Sequence, residues 1–300
     1  MLHKIKEWGL RPLAVHYDNT WNSAIASQNI AIMLTELDID LYTHVVNNSE
    51  ADSIFKAFFL ASVPELDAST DLALAEVLYR AADDVGVKYV IEGHSFITEG
   101  VAALGDVYFD GRYINSINKR FGTKKIKTYP LMTFFRFMKW TLVKRIKKIR
   151  PLWYLEYSKE EARDILQKNY GWKYYGGHHM ENRLAAFFHA IYMPQKCNRD
   201  LRNLSLAAKA RSGLMTRDQA LDEYSKPIEF EQGLIEYFKK RLQLTDSQYK
   251  NIMSKKPKSY RDFPTYKKLF ELLRPMFFYM YKVNLVPKSF YIKYTSKNDL

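Results

Sequence analysis

Short apolar runs alternate with longer stretches in which apolar positions recur at helical spacing, and this alternation predicts strands separated by helices. PLAVHY (12–17) reads as a short buried strand, AIASQNIAIMLTELD (24–38) as the helix after it, opened by Asn22 and Ser23, and IDLYTHVV (39–46) as a second strand. Helical stretches at roughly 49–61 and 70–85 precede the strand KYVIE (88–92). The order β, α, β, α, α, β predicts an α/β domain with a doubly wound, mainly parallel sheet. KKIKTYP (124–130) reads as a further strand that closes this domain at 1–130. Beyond it the pattern is mostly helical, at 158–171, 181–193, 216–223 and 231–244, which predicts a second domain over 131–300.

Ser69, Thr70 and Asp71 stand before LALAEVLYRAADDVG as an N-cap and acidic first turn, and Gly86 ends that helix. Thr70 and Asp71 read equally as capping chemistry or as ligand contacts. Arg136–Arg150, RFMKWTLVKRIKKIR, reads as a basic amphipathic helix. Three readings stay open for it: a core face with cations outside, docking on an anionic membrane or near an anionic substrate, and RNA binding.

Composition narrows the class. A chain of 300 residues with 47% hydrophobic content buries a substantial core, which excludes a largely disordered protein. The single cysteine, Cys197, excludes an intramolecular disulfide framework and a cysteine-rich zinc site. No apolar run reaches the length of a membrane span and the first residues lack a signal-peptide core, so a cytoplasmic location is expected. The net charge of +13 attracts phosphate, yet the cations cluster locally, and nucleic acid is not the expected partner.

Three places hold candidate chemistry. In a parallel sheet the strand ends at His16–Asn22 and Gly93–Glu99 share one edge, where a nucleotide binds across the crevice. Asp18 reads equally as turn chemistry or as a ligand contact, while His94 taken alone reads more often as a hydrogen-bonded structural histidine than as a catalytic one. YGGHHMENR (175–183) crowds polar groups at a helix start, and Arg183 can clamp an anion. Adjacent histidines lack the spacing of a helical metal site. KCNRDLRNLSLAAKARSGLMTR (196–217) is basic throughout, with Gly213 as a helix end and Thr216 as the next N-cap.

Taken together, LRPLAVHYDNTWNS, VPELDASTDLAL, KYVIEGHSFITEG, FGTKKIKTYP, GWKYYGGHHMENR and SGLMTRDQAL resemble the N-acetyl sugar amidotransferases, a branch of the PP-loop ATP pyrophosphatases with an adenine nucleotide alpha hydrolase-like fold. The resemblance covers roughly residues 8–255. It implies an ATP- and Mg2+-dependent enzyme of lipopolysaccharide O-antigen or surface-polysaccharide synthesis that turns an acetamido group of a nucleotide-linked sugar into an acetamidino group. Ammonia would come from a glutaminase subunit similar to that of imidazole glycerol phosphate synthase.

Residue by residue, the resemblance implies that Asp18, Asn19, Gly93, Thr70 and Asp71 lie near the nucleotide. His94, Thr98 and Glu99 would flank the reacting amide, and Gly176, Gly177, His178, Glu181 and Arg183 would meet the sugar or its diphosphate. The family's SGGxDS phosphate loop does not occur in the sequence, so the expected sheet is incomplete and a second polypeptide or an extension would supply the loop. A tRNA-modifying PP-loop enzyme and a non-catalytic subunit of the polysaccharide pathway are the alternatives, and peripheral membrane contact stays open.

Overall fold

The computed structural model describes residues 1–102, 107–177 and 179–297. In chain order, α1 (Leu2–Glu7) is followed by β1 (Ala14–Asp18), α2 (Ala24–Glu36), β2 (Leu41–Val45), α3 (Asn48–Ala61), α4 (Ala68–Asp84), β3 (Tyr89–Ile91), the single turn α5 (Phe96–Glu99), α6 (Gly111–Phe121) and α7 (Phe134–Met138). A π turn, Lys139–Val143, then leads to β4 (Lys147–Ile149) and α8 (Lys159–Tyr170). Next come α9 (Arg183–Phe187), α10 (Met193–Cys197), α11 (Arg202–Arg211), α12 (Arg217–Ser225), α13 (Leu234–Arg241), α14 (Asp246–Ser254), α15 (Lys267–Leu272), α16 (Arg274–Lys282) and α17 (Lys288–Thr295). The protein is therefore mixed α/β and mostly helical.

Local signals in the sequence act as they read. Ser23 caps α2 by accepting from the Ala26 N–H at 3.2 Å, and Thr216 forms a reciprocal capping box with Gln219; Asn47, not singled out in the sequence, caps α3. At α4 the start falls earlier: Asp67 flanks it, and Ser69, Thr70 and Asp71 lie inside its first turn.

Strand pairing differs from the expectation of one doubly wound sheet. Among the described residues there are two separate two-stranded sheets: β1 with β2, and β3 parallel to β4 with Tyr89, Val90 and Ile91 opposite Lys147, Lys148 and Ile149. β4 lies inside the stretch expected to be one long basic helix. The helix stops because Arg145 turns left-handed (φ 54°) and the Ile146 N–H closes back on the Trp140 carbonyl, which frees the next three residues to extend along β3.

The expected strand at 124–130 is irregular instead. Its backbone donors go to a side chain: the Lys127, Thr128 and Tyr129 N–H groups reach the Glu50 carboxylate at 2.9, 2.9 and 3.0 Å. A segment whose N–H groups are used this way has none left for a ladder.

The chain forms two compact units that interleave along the sequence, each taking residues from both sides of position 130. Unit 1 holds Met1–Thr43, Glu92–Val101 and Arg150–Phe238. Its centre is aromatic: the fully buried Trp21 meets Tyr237 and Phe238 edge-on or tilted, and Phe187 stacks on Phe238 at 3.7 Å.

Unit 2 holds His44–Ile91, Ala102–Ile149 and Lys239–Leu300. In it α3 buries Ile54, Phe55, Phe58 and Phe59 against α6, with Phe58 edge-on to Tyr113. A second cluster joins Tyr79 and Trp140, stacked at 5.7 Å, to Phe137, Phe270, Phe277 and Met280. Among the described residues no helix is long and apolar enough to cross a membrane.

Glu65, almost fully buried in unit 2, accepts the Tyr113 hydroxyl at 3.1 Å, and burial pushes its carboxyl up to about 7. A raised carboxyl pKa means that the folded state holds the proton more tightly. Its contribution is present at acid pH and is lost as pH rises through about 7. Glu65→Gln is accordingly expected to gain roughly 2 kcal/mol over the parent at pH 8 and nothing at pH 4, read from urea unfolding at both values.

Candidate functional site

Thirteen residues were singled out above for chemistry, and unit 1 contains ten that the structure describes: Asp18, Asn19, Gly93, His94, Thr98, Glu99, Gly176, Gly177, Glu181 and Arg183. His178 lies outside the described residues. Thr70 and Asp71 belong to unit 2, where the Asp71 charge acts on the partly buried Lys293 ammonium and the Thr70 hydroxyl is buried with no partner among the described residues.

After β1 the chain folds into two successive side-chain turns. The Asp18 carboxylate accepts the Thr20 N–H at 2.7 Å, and the Asn19 side-chain oxygen accepts the Trp21 N–H at 3.0 Å, with Thr20 left-handed between them. Asn182 ties this turn to the 175–183 segment. Its amide donates to Asn19 at 2.8 Å and to Asn22 at 2.9 Å, while its oxygen caps α9. The Ser23 N–H to Glu181 carbonyl and Arg183 N–H to Trp21 carbonyl bonds, both 2.8 Å, complete the junction. Two segments about 160 residues apart therefore meet through three asparagines, and Asn182 was not among the expected residues.

α5 positions the next group. Gly93 needs no special conformation, since a Cβ there would meet only Met1 at an ordinary 3.6 Å. Close approach falls at Gly100, where a Cβ would sit 2.4 Å from the Leu204 carbonyl oxygen and φ is +76°. His94 is exposed, 3.9 Å from Glu92, whose carboxylate pairs with Arg150 at 2.8 Å. The Ser95 and Thr98 hydroxyls are sealed in the interior with no partner among the described residues, so α5 must shift before either can touch a ligand. Glu99 points to Lys159, at 3.7 Å, in the first turn of α8.

Lys159 links α5 to the loop after α8. That loop is held to α2 by Asn29, which pairs with both backbone groups of Lys173 at 2.7 and 2.8 Å, as a neighbouring strand would. The Tyr174 hydroxyl donates to the Gly176 carbonyl at 3.0 Å, and Gly176 adopts φ 99°, open to glycine alone without strain. His179 stacks on His189 at 4.1 Å, with Nδ1 3.9 Å from Glu181.

Burial sets the charges here. It pushes His179 down to about 4, helped by the Lys159 charge, so the imidazole is neutral at pH 7. It raises the Glu181 carboxyl against the pull of Lys159, and it lowers the Lys159 ammonium against the pull of Glu99. Lys159, His179 and Glu181 thus form an acid–base group shifted by burial, with the Glu99 carboxylate 3.7 Å from Lys159. Lys159 starts an otherwise ordinary surface-patterned helix, SKEEARD, and nothing local to that pattern marks it as functional.

Tyr175 lines three clefts, of about 320, 490 and 340 Å3. The first is mainly apolar and has Glu181 and His16 on its wall. The third combines Trp172 and Tyr174 with Lys159, Arg163 and Lys209, the last paired with Glu160 of the same wall at 2.8 Å, and suits a ligand with a flat face that reaches the remaining cations. The second is bordered by Arg183, whose guanidinium is engaged in a bidentate pair with Glu231 at 2.7 and 2.9 Å over the Tyr237 ring. Among the described residues no group of three or more His, Cys, Asp or Glu side chains could hold a metal ion.

No curated protein matches the chain. Residues 181–276, about a third of the chain, match the family model of the LPS biosynthesis protein WbpG-like, C-terminal domain. The match begins at Glu181 and includes Asn182 and Arg183, the residues that join the loop to the β1 turn, so this part of the site is similar to a domain of lipopolysaccharide biosynthesis proteins.

Proposed function

We propose that the chain is the acceptor-side part of an ATP-dependent amidotransferase of O-antigen or surface-polysaccharide synthesis, acting on the acetamido group of a nucleotide-linked sugar. The observation that carries this reading is the convergence, within unit 1, of Glu99, Lys159, His179 and Glu181 beside clefts that combine aromatic faces with cations. The WbpG-like match supports the pathway.

An amide carbonyl is a poor electrophile, so ATP would first transfer AMP to its oxygen with loss of pyrophosphate. Ammonia, supplied by a glutaminase partner, would then attack the carbon and expel AMP. This chain's groups suit the second half. Neutral His179 would accept a hydrogen bond from the attacking nitrogen and so orient it, Glu181 would lie beside the imidazole, and Lys159 would stabilise negative charge near the reacting oxygen. A chain of this design needs no nucleophilic side chain. The sequence holds no SGGxDS, so the β- and γ-phosphates, with Mg2+, would be held by a segment carrying that loop, in a longer form of the protein or in a second polypeptide.

Calorimetric titration with UDP-N-acetylhexosamines and with UDP-glucose tests the reading. At least one acetamido sugar is expected to bind about tenfold or more tightly than UDP-glucose, and Glu181→Gln or Lys159→Ala is expected to remove that preference. Equal affinities across the set would overturn it.

A further inference from the structure

The outer face of α15–α16 in unit 2 is built unlike the rest of a helical surface. Lys267, Phe270, Phe277 and Met280 turn inward, as an amphipathic pair requires. The outward positions recur three to four residues apart at Lys268, Leu272, Pro275, Tyr279 and Val283, and most are apolar. Leu272 is 76% exposed and Tyr279 67%, with Phe278 beside them at 45%.

Charge on this stretch has one sign. From 266 to 297 the sequence holds seven Lys and Arg but a single acid, Glu271, which pairs with Lys267 on its own helix at 3.6 Å. Lys282 lies over the Phe278 and Tyr281 rings at 5.3 and 5.5 Å, which places an ammonium along aromatic faces.

We infer that the exposed α15–α16 face docks on an anionic lipid surface. Tyr, Phe and Leu side chains standing out of a helix among lysines match the boundary between acyl chains and headgroups, where rings enter and ammonium groups reach back to phosphate. An acid-poor face excludes a basic partner. RNA would use the cations but leaves Leu272 and Val283 without a role. No part of the contact crosses the bilayer, and it does not depend on the reaction proposed above.

Co-sedimentation with vesicles decides the matter. Binding to phosphatidylcholine vesicles containing about 30% phosphatidylglycerol is expected to exceed binding to phosphatidylcholine alone by about tenfold or more, since each cation near the surface contributes about fivefold. Leu272→Ser with Tyr279→Ser is expected to weaken binding about tenfold, and Lys268→Glu with Lys282→Glu to abolish it. Both pairs lie on exposed positions, so unchanged urea midpoints are expected to accompany the loss. Equal binding to the two vesicle types, undiminished binding by the serine pair, or retention by a uridine homopolymer but not by vesicles would each overturn the inference.

Discussion

Glu50→Ala is expected to destabilise the protein by about 3–5 kcal/mol, among the largest effects of any single side-chain truncation outside the aromatic cores. Glu50 sits in the first turn of α3, nearly buried, and is the acceptor for three consecutive backbone donors at Lys127–Tyr129 as well as the Thr128 hydroxyl at 3.3 Å. Removing the carboxylate strands those donors, and the 124–130 segment has no ladder to fall back on. Burial alone would raise this carboxyl, but the donors outweigh it and hold the pKa below the usual range. A depressed pKa contributes stability above the unfolded value that is lost as pH falls through the folded one. The gap between parent and variant is therefore expected to be widest near pH 7 and to narrow on acidification, measured by urea unfolding across that range.

Gly100→Ala is expected to cost about 3–5 kcal/mol and to displace α5, whereas Gly93→Ala is expected to change stability by no more than about 0.5 kcal/mol. The contrast rests on what an added methyl would meet. At Gly100 the new Cβ would lie 2.4 Å from the Leu204 carbonyl oxygen, backbone that cannot swing aside, and the φ of +76° with ψ of −168° belongs to a region that glycine alone occupies without strain. At Gly93 it would make ordinary contact with a side chain. Because Glu99 precedes Gly100, the alanine variant is also expected to lose the Glu99–Lys159 approach. Thermal melts and the sugar titration described above read the two consequences separately. Equal costs at the two glycines would contradict the packing of α5 on α11.

Much of the secondary structure is legible because its causes are local. Ser23 and Thr216 read as helix starts since the donors they accept lie three residues away, and Gly86 and Gly213 read as helix ends because positive φ suits glycine. Strands β1, β2 and β3 were visible as short apolar runs bounded by polar residues. The segments that hold the candidate chemistry, 16–22, 93–99 and 175–183, were visible too, as clusters of polar side chains at strand or helix boundaries.

Pairing across long separations was decided only in three dimensions. Helical spacing in 136–150 predicts a helix, yet residues 147–149 gain more by completing a parallel pair with β3. KKIKTYP reads as a strand-like piece, but a carboxylate some 77 residues away takes three of its donors. Gly93 looks like the glycine that lets chains approach, and the approach occurs at Gly100 because α11 happens to pass there. Lys159, Asn182 and Asn29 were illegible for the same reason. Their residue types suit any helix start or surface, and only the partners brought to them, Glu99 and Glu181, Asn19 and Lys173, turn them into parts of a site. Sequence by itself determined which segments are helical, apolar or chemically rich, through interactions spanning a few residues. Tertiary structure decided which of those segments share a solvent-poor space, and it is that sharing which shifts the charges of His179, Glu181 and Lys159.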